Sequence, residues 1–121
     1  MKVSSARDAQ EIERKYGVMK MLAGGQKIET QNLDLRILEI KPNTATSKHH
    51  HLKSESIFYI LYGKVEMEIN DSIISLQQGD VVVVEPGETH LLKNTGNDKS
   101  FVIEAMSPPF TKTDIYYSEA V

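Results

Sequence analysis

Four imidazoles are present in this 121-residue chain, and three are consecutive: His49, His50 and His51. The fourth, His90, follows a Pro86-Gly87 turn in the stretch from Gly79-Asp80 to Asn94. The chemistry that such a grouping performs best is metal ligation. In an extended segment side chains alternate, so His49 and His51 share a face about 6.6 Å apart along the strand while His50 points the other way. Glu55 has the same parity, across an expected turn at Leu52-Lys53-Ser54. His90 comes from a separate segment that its Pro-Gly turn can aim at the same point. Three neutral imidazoles and a carboxylate suit Zn, Mn, Fe, Co or Ni alike. The expected centre is one divalent transition metal ion held by His49, His51, Glu55 and His90. A catalytic version would keep one or two positions open for water or substrate. Singly, these residues have plainer readings: an exposed histidine tract, a hydrogen-bonded core histidine, two ordinary turns. Their coincidence favours a site.

The elements that must position these groups are strands. Val65-Glu-Met-Glu-Ile-Asn70 alternates strictly with period two, as a half-buried strand does. Asn70-Asp71 turns the chain into Ser72–Leu76. Val81–Val84 is a continuous β-branched run, expected in a strand covered on both faces. Phe101–Met106 is the last clear strand before Ser107-Pro108-Pro109 stops regular pairing. Leu33, Leu35 and Ile37 fall on one face of a further strand that ends at Lys41-Pro42-Asn43. Val18–Ala23, the Gly24-Gly25 turn and residues 26–30 suggest a hairpin. Residues 1–17 are expected to form a tail or a short helix, with Ser5 capping and Gly17 ending it. Residues 18–121 then make one all-β domain, a sandwich or barrel. The aromatic tail Asp114-Ile-Tyr-Tyr117 is expected to dock on the body or on a second subunit.

Composition narrows the function classes. Net charge is −3 with no basic block, which argues against nucleic acid or an anionic membrane surface as partner. No cysteine is present, so disulfides, thiolate ligands and thiol catalysis are excluded. The N-terminal residues lack a signal-peptide apolar core, and no apolar run is long enough to span a bilayer. A cytoplasmic protein is expected, with a small-molecule ligand.

The two histidine-bearing stretches resemble the two motifs of the cupin superfamily, over about half the chain. In the first motif, Asn43 stands at the opening glycine, His49 and His51 form the His-x-His pair, and Glu55 follows. Seven residues instead of six separate Glu55 from Gly63. Counted back from Gly63, Ser56 takes the carboxylate position. Either a bulge carries Glu55 to the metal or the site has three protein ligands. In the second motif Gly79-Asp80, Pro86-Gly87, His90 and Asn94 match, with Glu85 replacing an earlier proline. The resemblance implies a double-stranded β-helix, a small jelly-roll barrel with the metal inside one end. The run from Tyr16-Gly17 to Ile103-Glu104 and Asp114-Ile115 is most similar to small mannose-6-phosphate-isomerase-like cupins, which implies a sugar or sugar phosphate ligand.

Three functions follow. The first is a metal-dependent enzyme on a small polar metabolite: an isomerase-like enzyme with Glu55 or Glu85 moving protons, or an iron-dependent dioxygenase. The second is a non-catalytic small-molecule binding module. The third is a purely structural metal. Exposed strand edges and aromatic residues near the N-terminal strands and the tail suggest a homodimer.

Overall fold

A computed structural model describes residues 1–25 and 27–118. Gln26, expected in the hairpin after Gly24-Gly25, and residues 119–121, the end of the expected domain, lie outside the described residues. The expected hairpin is not formed as a strand pair: Val18–Ala23 pairs with residues 10–14 and 34–40 instead, and among the described residues only an isolated bridge joins Gly24 to Ile28.

The strands are β1 (Gln10–Arg14), β2 (Gly17–Ala23), β3 (Asp34–Ile40), β4 (His49–His50), β5 (Glu55–Tyr62), β6 (Lys64–Ile69), β7 (Ser72–Gln77), β8 (Val81–Val84), β9 (His90–Asn94), β10 (Ser100–Ser107) and β11 (Tyr116–Tyr117). They form two facing sheets. A six-stranded sheet runs β1-β2-β3-β10-β5-β8, and a five-stranded sheet runs β11-β4-β9-β6-β7. This is the all-β jelly roll expected from the sequence. Its core lies between the sheets, where alternate residues of facing strands interlock: Leu38 and Ile40, Phe58 and Ile60, Val65 and Met67, with Leu92 and Val102. The strict alternation in β6 is borne out, since Val65 and Met67 are almost fully buried.

The N-terminus differs from the expected helix. Ser5 does cap a turn, accepting from the Arg7 N–H, but it is a 3-10 turn of three residues, Ala6–Asp8. Residues 10–14 then pair antiparallel with β2. Isolated Ile12 and Tyr16 give too thin a stripe for a helix, and a sheet edge offers pairing instead. Gly17 is needed for close approach: its φ is +149°, and a Cβ there would sit 2.1 Å from the Glu39 carbonyl oxygen.

Two burial expectations change. β8 is an edge strand covered on one face only, with Val81 58% and Val83 49% exposed. In β3 the Leu35 and Ile37 face turns outward, and the inner face carries Asp34, Arg36, Leu38 and Ile40. That arrangement places two charged groups inside the barrel. The tail docks on its own barrel, where Tyr116 pairs with His50 and Tyr117 with His49.

Candidate metal centre

The first motif's opening position shows how local chemistry sets up the centre. Asn43 has φ +59°, and asparagine is the non-glycine residue that best tolerates this left-handed backbone. It therefore substitutes for a glycine at the turn that leads into β4. In β4, His49 lies directly across from His90 of β9. The Gly87 N–H donates to the His51 carbonyl at 2.6 Å, which ties the Pro86-Gly87 turn to the histidine segment. His50 points away, as alternation requires, and stacks on Tyr116 with ring centres 5.1 Å apart.

His49, His51 and His90 converge. One nitrogen from each lies within 4.8 Å of the others. All three rings are oriented in the same way: Nδ1 meets a backbone carbonyl, that of Ser47 at 2.7 Å, Asp114 at 2.6 Å and Glu88 at 2.9 Å respectively. A carbonyl can only accept, so each Nδ1 carries a proton and Nε2 is the atom that the neutral ring offers as a ligand. The Nε2 atoms of His51 and His90 are buried and unpartnered among the described residues. Burial, against the pull of the Ser47 carbonyl, lowers the His49 pKa to about 4, and burial likewise lowers that of His90. Three converging, preoriented imidazoles, two of them with orphaned buried nitrogens, fit a divalent transition metal ion.

Glu55 is not in this group. It is exposed, whereas Ser56, the next along β5, is 1% exposed and faces inward. The turn at 52–54 resets the phase of alternation, so the parity shared with His49 and His51 does not carry through it. The inward phase matches the register counted back from Gly63. Glu85 is exposed as well. Asn94 is structural: its amide donates to the Ile40 and Asp98 carbonyls and accepts from the Gly96 N–H, each at 2.8 Å.

The residue that secures the 52–54 turn is Asp114. Its carboxylate accepts from the backbone N–H of Leu52, Lys53 and Ser54 at 2.9 to 3.2 Å. Burial alone would raise its pKa; those three N–H groups outweigh it and hold the carboxyl below its ordinary value. Asp114 thus fixes the loop with its side chain and the His51 ring with its carbonyl.

The centre opens into a cavity of about 850 Å³. Met19, Leu38, Phe58, Leu92 and Met106 supply apolar wall, and Arg36 and Glu104 supply charge. Exposed Arg14, Lys15 and Lys112 lie at its mouth. Arg36 donates to Asp34 Oδ2 at 2.7 Å and lies 5.5 Å from the Phe110 ring centre. Burial, aided by nearby Glu104 and opposed by Arg14 and Arg36, pushes the Tyr16 phenol up to about 12, so it remains a donor. Roles for Asp114, Glu104 and Arg36 were not assigned from sequence. Glu104 carried a signal, as the lone acid at the inward parity of Val102 and Met106. Asp114 carried none, because its partners are 60 or more positions away.

Comparison with known proteins gives a match to a family model described as "Cupin domain" over residues 36–106. The chain is 32% identical over 60 residues to an oxalate-binding protein of Thermotoga maritima, covering 50% of this chain and 50% of that one. It is 30% identical over 69 residues to an uncharacterised protein of Methanocaldococcus jannaschii, covering 57% and 55%. The chain therefore spans about half the length of these curated relatives. Among solved structures, a Klebsiella pneumoniae protein with a double-stranded β-helix domain superposes with TM-score 0.78 at 15% identity, over 99% of both chains.

Proposed function

Because this chain belongs to the cupin domain family, we propose that His49, His51 and His90 hold one divalent transition metal and that the protein uses it to bind a small, oxygen-rich anionic metabolite. One observation carries this reading: the three converging nitrogens have no carboxylate among them. Neutral imidazoles contribute no charge to offset the ion's double positive charge, which favours an anionic ligand. When bound, such an ion acts as a Lewis acid toward a carbonyl or carboxylate oxygen. The cationic groups at the mouth, Arg14, Lys15 and Lys112, draw anions toward it. The relative named for oxalate binding fits the same ligand class.

Isomerase-like turnover of a sugar or sugar phosphate is the second reading, favoured by a carboxylate on the same cavity. That carboxylate is Glu104, not Glu55 or Glu85. A phosphate would have to use the cations at the mouth, since Arg36 inside is already paired with Asp34. The test is to load untagged protein with Zn, Mn, Fe, Co or Ni and titrate oxalate and glycolate by calorimetry. One metal per chain and anion binding that requires it are expected. No metal uptake, or equal anion binding without metal, sinks the proposal. Oxygen consumption by the iron form would instead select the dioxygenase reading, and binding without turnover the binding module.

A homodimer and a cytoplasmic setting belong to the same proposal; the cysteine-free sequence suits the latter. No helix among the described residues is long and apolar enough to cross a membrane. The dimer face is the outer surface of the six-stranded sheet. There Ile57 lies opposite Val83 and Tyr59 opposite Val81, all between 38% and 58% exposed. This patch ends at the edge strand β8 and suits a self-complementary twofold contact. Ile57→Lys combined with Val83→Lys is expected to convert a sedimenting dimer to monomer. A wild-type monomer at high micromolar concentration excludes that face as a dimer contact.

A further inference from the structure

The cavity also carries a carboxylate that the anion-binding reading leaves unused. Glu104 faces inward from β10 and is 5% exposed. It lines the same cavity as the three histidines. Among the described residues no hydrogen bond reaches its carboxylate, and the closest cation, Arg36 Nε, is 3.9 Å away. Arg36 cannot satisfy it as placed. One arm of its guanidinium donates to Asp34 at 2.7 Å, another meets the Met19 sulfur at 3.9 Å, and Nε itself has no partner. Asp34 Oδ1 is likewise buried and unpartnered. The group therefore sets two carboxylates against one guanidinium, with acceptor capacity left over.

We propose that Glu104, supported by Arg36 and Asp34, is a ligand subsite that accepts a hydrogen-bond donor, the ammonium or hydroxyl of a small amino or hydroxy acid. This rests on the preceding reading for the acid end of the ligand, which goes to the histidines. A buried carboxylate without donors is unfavourable, so a ligand that brings a donor gains what the free cavity lacks. On a ligand long enough to reach both the histidines and Glu104, a second carboxylate would meet Glu104 as a like charge and be rejected. Phe58 and Leu92 supply apolar wall on the same cavity.

The probes are three- to five-carbon ω-amino acids, ω-hydroxy acids and dicarboxylates, titrated by calorimetry into the cobalt-loaded protein. At the best-fitting length, the amino or hydroxy acid is expected to bind at least tenfold tighter than the dicarboxylate. Glu104→Gln is expected to reduce that ratio to about one while cobalt uptake persists. An amino acid advantage identifies an ammonium as the donor, and an equal hydroxy acid identifies a hydroxyl; both support the subsite. A dicarboxylate that binds as tightly in wild type overturns it, as does a ratio unchanged in Glu104→Gln or no binding at any length. The wild-type comparison stands if the variant fails to fold. Butylamine against butyrate, followed by NMR in the metal-free protein, reads the Glu104 end alone. Loss of cobalt uptake with a surviving butylamine preference would therefore defeat the metal reading and not this one.

Discussion

Asp114→Ala is expected to weaken zinc or cobalt binding at the three-histidine centre by roughly ten- to a hundredfold, the usual effect of removing a group that supports a metal ligand. Asp114 contacts no metal-facing nitrogen. It acts through the loop, where its carboxylate gathers the N–H groups of Leu52, Lys53 and Ser54. The Ser54 hydroxyl donates to it more weakly, at 3.4 Å. Without that anchor the His51 segment and the carbonyl that receives His51 Nδ1 lose their common support. Folding stability should fall by on the order of 3 kcal/mol, since several charge-assisted bonds to a 5% exposed carboxylate disappear together. The pH dependence has a definite sign. The folded carboxyl is held below its ordinary pKa, so its contribution is complete above about pH 4 and lost as pH falls through the lower folded value. The difference between wild type and Asp114→Asn should shrink in the same window. Chelator competition and urea unfolding measure the two effects. Wild-type metal affinity in Asp114→Ala would show that the loop holds His51 without it.

His90→Ala should lower metal affinity by more than a hundredfold, since it removes a direct ligand where loss of a supporting group already reaches that range. Metal at about a hundred times its Kd should stabilise wild type by about 2.7 kcal/mol and leave the variant unchanged. Thermal unfolding with and without zinc distinguishes these outcomes; an equal zinc shift in both proteins would place the metal elsewhere. The lowered imidazole pKa values add a pH signature. With His49 neutral down to about pH 4 and the His90 pKa lowered as well, metal uptake should displace few protons from these two ligands near neutrality. In the metal-free protein the unfolded chain takes up protons that folded His49 and His90 resist. Stability should therefore decline as pH drops from about 6.5 toward 4, and His49→Ala should remove part of that slope.

Much of this protein was legible from local chemistry. The β pattern of Val65–Asn70, the Asn70-Asp71 turn, the shared face of His49 and His51 and the Pro-Gly turn before His90 are short-range features. Each is set by alternation along one strand or by a turn residue next to it. Asn43 at the left-handed position and the outward His50 follow from the same rules. Tertiary structure decided what crosses a loop. Parity could not be carried through residues 52–54, so Ser56 and not Glu55 faces the interior. It could not show that Val81–Val84 lies at a sheet edge, because a strand's neighbours are chosen by the whole topology. Nor could it bring Asp114 to a loop some 60 residues earlier, or set Arg36 and Glu104 from two strands onto one cavity wall. Alternation fixes direction only within a continuous strand; where separate strands meet, packing of the two sheets around a shared core sets the outcome.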